Sequence, residues 1–157
     1  MGKRRIRNLF ALGFNEVIGF DTRSDRRKES ESKYHIQTFS SINEALKESP
    51  NALIISTPPD LHLKYAKIAI KNNIHFFTEV NLSSNEISQI LKCLSGSKIT
   101  GVPSCTMLFH PVVIQLQKLL QKQVIGKVLF IDHHFGHYLP DWHPWEDYRK
   151  FYVSKKN

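Results

Sequence analysis

Ala52-Leu53-Ile54-Ile55-Ser56-Thr57-Pro58-Pro59-Asp60-Leu61-His62 decides the fold. The run from Ala52 to Ser56 shows no period-two alternation, which is the pattern of a strand covered on both faces in a parallel sheet. Pro58-Pro59-Asp60 ends it and opens a helix on which Leu61, Tyr65, Ile68 and Ala69 form one apolar stripe. Asn72-Asn73 closes that helix, and Ile74 to Thr78 reads as the next strand. Strand, helix, strand in that order is a right-handed crossover between parallel strands.

The alternation extends both ways. Ile6, Leu9 and Phe10 recur at helical spacing from about Lys3 to Leu12, with Gly13 as a left-handed stop. Val17 to Phe20 is a short strand ending on Asp21, Arg23 to Tyr34 reads as a loop plus a short helix, and Ile36 to Phe39 is a small strand. Ser41-Ile42-Asn43-Glu44 matches a capping box and opens a helix that stops before Pro50. Downstream, Ser83-Ser84-Asn85-Glu86 matches a second box and predicts a helix over Glu86 to Leu94, followed by a strand over Ile99 to Thr106. Pro111 starts a helix to about Gln123, and Val128 to His134 reads as one more strand. The prediction is an α/β fold with a doubly wound parallel sheet and helices on both faces. The tail from Gly136 to Lys156 is aromatic and aperiodic, so a second domain begins near Phe109, dividing the chain into 1–108 and 109–157.

The chain has 157 residues, 41% of them hydrophobic and 23% charged, as in a globular protein rather than a disordered one. No apolar run reaches a membrane span, and the start lacks a signal-peptide block, so a cytoplasmic protein without membrane partners is expected. Cys93 and Cys105 fit neither a disulfide framework nor paired metal ligands and read as reduced, buried or half-buried thiols. The net charge of +8 suits a binder of phosphorylated small molecules, and no aromatic-basic motif points to nucleic acid as the partner.

A doubly wound sheet binds its ligand beyond the carboxyl ends of the strands. Asp21, Thr57-Pro58-Pro59 and Glu79 all fall there. Asp21 lies nineteen residues beyond Gly2, near the spacing at which an acidic residue accepts from the adenosine ribose; the other reading is a solvated strand-end carboxylate. Glu79 reads either as a ribose contact or as another strand-end carboxylate, and His62 either as a ribose contact or as a water-exposed histidine at a helix start. Arg23, with Arg26 and Arg27 behind it, would favour a 2′-phosphate and NADP, whereas Asp21 favours NAD by like-charge repulsion, so NAD and NADP both stay open. In the tail, Asp141, Trp142 and His143 with Tyr138 and Trp145 suit a sugar-stacking wall, or else a packing loop between domains. His133 and His134 alternate faces on the expected strand, and no metal site is assigned.

On these residues the chain resembles the Gfo/Idh/MocA family of two-domain NAD(P)-dependent oxidoreductases, which act mostly on sugars and cyclitols. Gly2-Lys3-Arg4 with Ile6-Arg7-Asn8-Leu9 is similar to the end of the family's glycine-rich segment, with Gly2 in the place of its third glycine and Arg5 where a histidine is common. Ser56-Thr57-Pro58-Pro59 to His62 resembles the loop flanking the nicotinamide ribose. Phe109-His110-Pro111 and Ile125-Gly126-Lys127 resemble the crossing into an α+β substrate domain. The resemblance implies a Rossmann-type NAD(P) module, hydride transfer to or from a sugar or cyclitol hydroxyl, a small sugar-like substrate as partner and room for a homo-oligomer.

Three departures accompany it. The family's first strand and first two glycines fall before Gly2, so the Rossmann sheet is expected without its first strand and dinucleotide binding no tighter than millimolar. Glu79-Val80-Asn81 stands where Glu-Lys-Pro is usual, and valine cannot donate a proton, so no catalytic residue is assigned. The family's downstream acid/base motif is not in the chain. The alternative to an oxidoreductase is therefore a catalytically inactive, truncated remnant or a binding module.

Overall fold

A computed structural model describes residues 1–79, 83–142, 144 and 147–150. The chain divides into two compact units, Met1–Ser104 and Cys105–Asn157.

The first unit alternates helix and strand: α1 (Gly2–Ala11), β1 (Ile18–Phe20), α2 (Ser24–Tyr34), β2 (Gln37–Phe39), α3 (Ile42–Lys47), β3 (Ala52–Ile55), α4 (His62–Lys71), β4 (His75–Thr78), α5 (Ser84–Leu94) and β5 (Gly101–Pro103). All pairings are parallel. β1 pairs with β2, Gly19 opposite Thr38. β3 pairs with β4, Ile54 opposite Phe77, and β4 with β5, Phe77 opposite Val102. The sheet thus exists as two pieces, β1-β2 and β3-β4-β5, and no ladder joins β1 to β3 among the described residues. This is a partial Rossmann-type doubly wound sheet, with its break where the sequence leads one to expect a strand. Its two pieces share one core, because Phe20 of β1 meets Tyr65 of α4 edge-on at 5.9 Å and Ile42 and Leu46 of α3 pack on the same cluster. That cluster is Ile55, Tyr65, Ala66, Ala69, Ile74, Phe76 and Ile90. Alanines at 66 and 69 bring α4 close to the strands, and Ile55 and Phe76 fill the space beneath it.

Local signals explain most of the boundaries. α1 ends as expected at Gly13, whose φ of 86° lets its N–H reach the Phe10 carbonyl while Phe14 N–H reaches Leu9, the paired bonds of a Schellman stop. The Ser83 box forms fully: Ser83 Oγ accepts from Glu86 N–H at 3.3 Å, and the Glu86 carboxylate accepts from Ser83 N–H at 2.7 Å. The Ser41 box forms only in part. Ser41 Oγ accepts from Asn43 N–H at 3.2 Å, and Glu44 takes the Ser40 hydroxyl instead.

Three expectations fail. Residues 24–34 are one continuous helix rather than a loop with a short helix. With no apolar stripe, α2 relies on the helix formers of Arg26 to Glu29 with Glu31 and Lys33, and is held from its polar side by Lys3–Glu29 and by the Thr38 hydroxyl on Glu31. Cys93 is exposed, not buried, because α5 turns it away from the Ile90 face; Cys105 is half-buried, and both are free thiols.

The third failure is in the second unit. Val128 to His134 forms no strand: the segment joins no ladder among the described residues, with Leu129, Phe130 and Ile131 exposed. A strand needs a neighbour to take its N–H and C=O groups, and the described residues provide none. The other described elements of this unit are a 3-10 turn at Thr106–Phe109, α6 (Pro111–Gln121), the single-turn α7 (Leu139–Trp142) and a 3-10 turn at Tyr148–Lys150. α6 begins as expected, with Pro111 in its first turn and His110 Nδ1 accepting from Val112 N–H at 3.3 Å.

Candidate functional site

The carboxyl ends of the parallel strands gather Thr57 and Pro58 after β3, Glu79 after β4 and Ser104 after β5, with Asp21 after β1. The ladder continues past the strands. Glu79 N–H donates to the Ile55 carbonyl at 3.3 Å, and Ser104 N–H to the Thr78 carbonyl at 2.8 Å. The strand-end residues therefore stand on a rigid rim rather than on loose loops.

Thr57-Pro58-Pro59 leaves the sheet through a 3-10 turn at Pro59–Leu61 that runs straight into α4. His62 pins this turn. It is 1% exposed, and its Nε2 lies 2.9 Å from the Thr57 carbonyl. The water-exposed histidine read from the sequence is thus replaced by a buried one, because the 3-10 turn folds the first residue of α4 back under its own approach loop. Three buried polar atoms in this turn have no hydrogen-bond partner: Ser56 Oγ, Thr57 Oγ1 and His62 Nδ1. Interior polar groups are normally paired, so three unpaired ones set this turn apart among the described residues.

Gly2 opens α1 beside this turn. A Cβ on Gly2 would lie 4.0 Å from Ser56 Cβ, an ordinary contact, so the described residues do not themselves demand glycine there. The first turn of α1 carries no acidic residue and no side-chain cap, which leaves its N-terminal N–H groups and positive dipole end suited to a diphosphate.

Asp21 is held at the end of β1. Its Oδ1 accepts from Arg23 N–H at 2.9 Å, Arg26 approaches Oδ2 at 3.7 Å, and Arg27 donates to its carbonyl at 2.8 Å. Beneath it, burial pushes the Tyr65 phenol up from its usual range, and the negative charge of Asp21 pushes it further the same way. The Arg23 guanidinium forks onto Asp25, Nε to Oδ1 at 3.1 Å and Nη2 to Oδ2 at 2.5 Å, and this pairing holds the Asp25 carboxyl at about 2.

Arg5 was not singled out by sequence reasoning as a site residue. From α1 it donates Nε at 2.9 Å and Nη2 at 2.6 Å to Glu79 Oε1, and Nη2 also donates to Ser104 Oγ at 3.1 Å. Its guanidinium lies 4.6 Å from the Phe77 ring centroid. Nothing in the sequence pairs residues 74 positions apart; only the crossover of α1 over the sheet does.

Among the substrate residues, Asp141 is exposed on α7, its N–H donating to the Tyr138 carbonyl at 3.0 Å. Trp142 ends α7, and Val80, Asn81 and His143 lie outside the described residues. Asp141 and Trp142 belong to the second unit, the remaining site residues to the first.

A parallel sheet with its polar groups gathered beyond the strand carboxyl ends, beside an uncapped helix start, is the architecture of a Rossmann-type fold. The family model described as "Oxidoreductase family, NAD-binding Rossmann fold", Gfo/Idh/MocA, matches residues 1–100, and the chain belongs to that family. It is 30% identical over 81 residues to an oxidoreductase of Formosa agariphila, covering 50% of this chain and 25% of that one. Solved structures share the fold at low identity. The WlbA dehydrogenase of Chromobacterium violaceum, in complex with NADH and UDP-GlcNAcA, has a TM-score of 0.72 at 15% identity over 80% of this chain and 38% of its own. A 3-ketoreductase of Actinomadura kijaniata, in complex with NADP and TDP-benzene, has a TM-score of 0.68 at 20% identity over 78% and 39%. A levoglucosan dehydrogenase, in complex with NADH and levoglucosan, has a TM-score of 0.66 at 17% identity over 73% and 32%. The chain thus spans a quarter of the Formosa relative and 32% to 39% of these solved proteins. The family is NAD-binding, and no helix among the described residues is long and apolar enough to cross a membrane.

Proposed function

We propose that this chain binds a nicotinamide dinucleotide along the rim of Gly2, Asp21, Arg23, Thr57, Pro58, His62 and Glu79. In this reading it serves hydride exchange between the nicotinamide and a hydroxyl of a sugar or cyclitol. Residues 1–108 form the cofactor part. Residues 109–157 begin the substrate part, where Asp141, Trp142 and His143 serve a sugar-like partner. The free thiols of Cys93 and Cys105 suit a reducing, cytoplasmic setting. The observation that carries the proposal is the turn after β3, whose three unpartnered buried polar atoms lie beside the open start of α1. Asp21 offers an acceptor for the adenosine-side ribose, and Arg23 a fork for a 2′-phosphate.

Titrating the chain with NADH and NADPH, followed by nicotinamide fluorescence, tests this. Saturable binding no tighter than the millimolar range and competed by ADP-ribose is expected; a linear response with both dinucleotides overturns it.

A second reading is favoured by one residue. Valine at position 80 supplies neither proton nor charge where the family usually has lysine, which suits a binding module without turnover. Saturable dinucleotide binding without hydride transfer to any of a panel of sugars and cyclitols would select it.

A further inference from the structure

Arg5 and Glu79 meet in an unusual way. The two guanidinium nitrogens that reach Glu79, Nε and Nη2, both donate to the same carboxylate oxygen, Oε1. Arg5 is itself fixed, from one side by Ser104 Oγ and against the Phe77 ring. The two side chains are only 19% and 18% exposed, so the pair is sheltered from solvent, though not sealed from it. Glu79 Oε2 receives no hydrogen bond from the described residues. Two charge-assisted hydrogen bonds on Oε1 restrain the carboxylate, and its other oxygen keeps lone pairs open to a donor.

We infer that Arg5 is a positioning residue which locks Glu79 through Oε1 so that Oε2 accepts the 2′-hydroxyl of the ribose next to the nicotinamide. The inference rests on the dinucleotide reading above. Glu79 follows β4, next to β3 and its Thr57-Pro58 turn, so a ribose seated on that turn brings its diol toward Oε2. A lysine at position 5 would keep the charge but lose the fork. A glutamine would keep one donor but lose the charge and let the carboxylate rotate.

The test is equilibrium titration of the full chain with NADH and with its analogue lacking the 2′-hydroxyl on the nicotinamide-side ribose. Wild type is expected to prefer NADH by roughly tenfold, as for a hydrogen bond to a charged group. Arg5→Lys, Arg5→Gln and Glu79→Gln are each expected to bring that preference close to one while affinity for the analogue changes little. Ser104→Ala, which removes one anchor of Arg5, is expected to give an intermediate preference and serves if the Arg5 variants do not melt cooperatively. Equal losses for both ligands would assign Arg5 a merely structural role and overturn the inference, as would an undiminished preference in the Arg5 variants. Wild type binding NADH without preference overturns it alone; wild type binding neither ligand overturns the dinucleotide reading and this inference together.

Discussion

The ring of Phe76 lies so tightly over Gly101 that a Cβ on residue 101 would fall 2.3 Å from Phe76 Cζ. Phe76 is a core residue of β4, directly across the ladder from Gly101 of β5, so its ring has nowhere to withdraw. Gly101→Ala is expected to cost about 1 to 3 kcal/mol, the range of an overpacked core. Urea unfolding measures it, and an unchanged midpoint would refute the fit.

His62 joins the turn after β3 to α4 by a buried hydrogen bond to Thr57. His62→Ala removes that bond, strands the Thr57 carbonyl and leaves a cavity, for a loss of about 2 to 4 kcal/mol. Hydrogen exchange of residues 57–63 should speed up more than that of β4. Uniform acceleration across the unit would show that His62 is ordinary core rather than a clasp on the turn.

Tyr65 has a phenol raised first by burial and then by Asp21. The folded state therefore holds this proton more firmly than the unfolded chain does. The stabilisation is fully present below the unfolded value near pH 10 and is lost as the pH rises through the higher folded value. Denaturation midpoints are expected to fall above about pH 10 and to fall less steeply in Tyr65→Phe. Parallel pH curves for the two proteins would contradict the assignment.

Asp25 is held at about 2 by Arg23. The sign is opposite here: the contribution is present above the ordinary carboxylate range and lost as the pH falls through the lowered value. The same pair bears on the cofactor, because Asp25 competes for the guanidinium that a 2′-phosphate would use. Asp25→Asn is expected to raise the NADPH-to-NADH affinity ratio several-fold in competition titrations, and an unchanged ratio would remove Arg23 from the cofactor rim.

Much of the framework was legible because its causes are local. Gly13 with its positive φ, Ser83 with Glu86, and Pro111 in the first turn of α6 each act within a few residues, so the chain announces them. The two-sided apolar run at Ala52 likewise reveals a strand before its neighbours are known. The full length of α2 is not legible because its support comes from Lys3 and Thr38 rather than from an apolar stripe. Val128 to His134 looked like a strand because its side chains favour one, yet a ladder also needs a partner.

The sequence by itself determined the family, the order of helices and strands, and the end of the sheet at which Asp21, Thr57 and Glu79 lie, since parallel topology puts every strand-end residue on one rim. Only the tertiary structure decided that His62 is buried under its own loop and that Arg5 grips one oxygen of Glu79. Those facts depend on how α1 and α4 cross the sheet, and the contacts so made join residues that no local spacing connects.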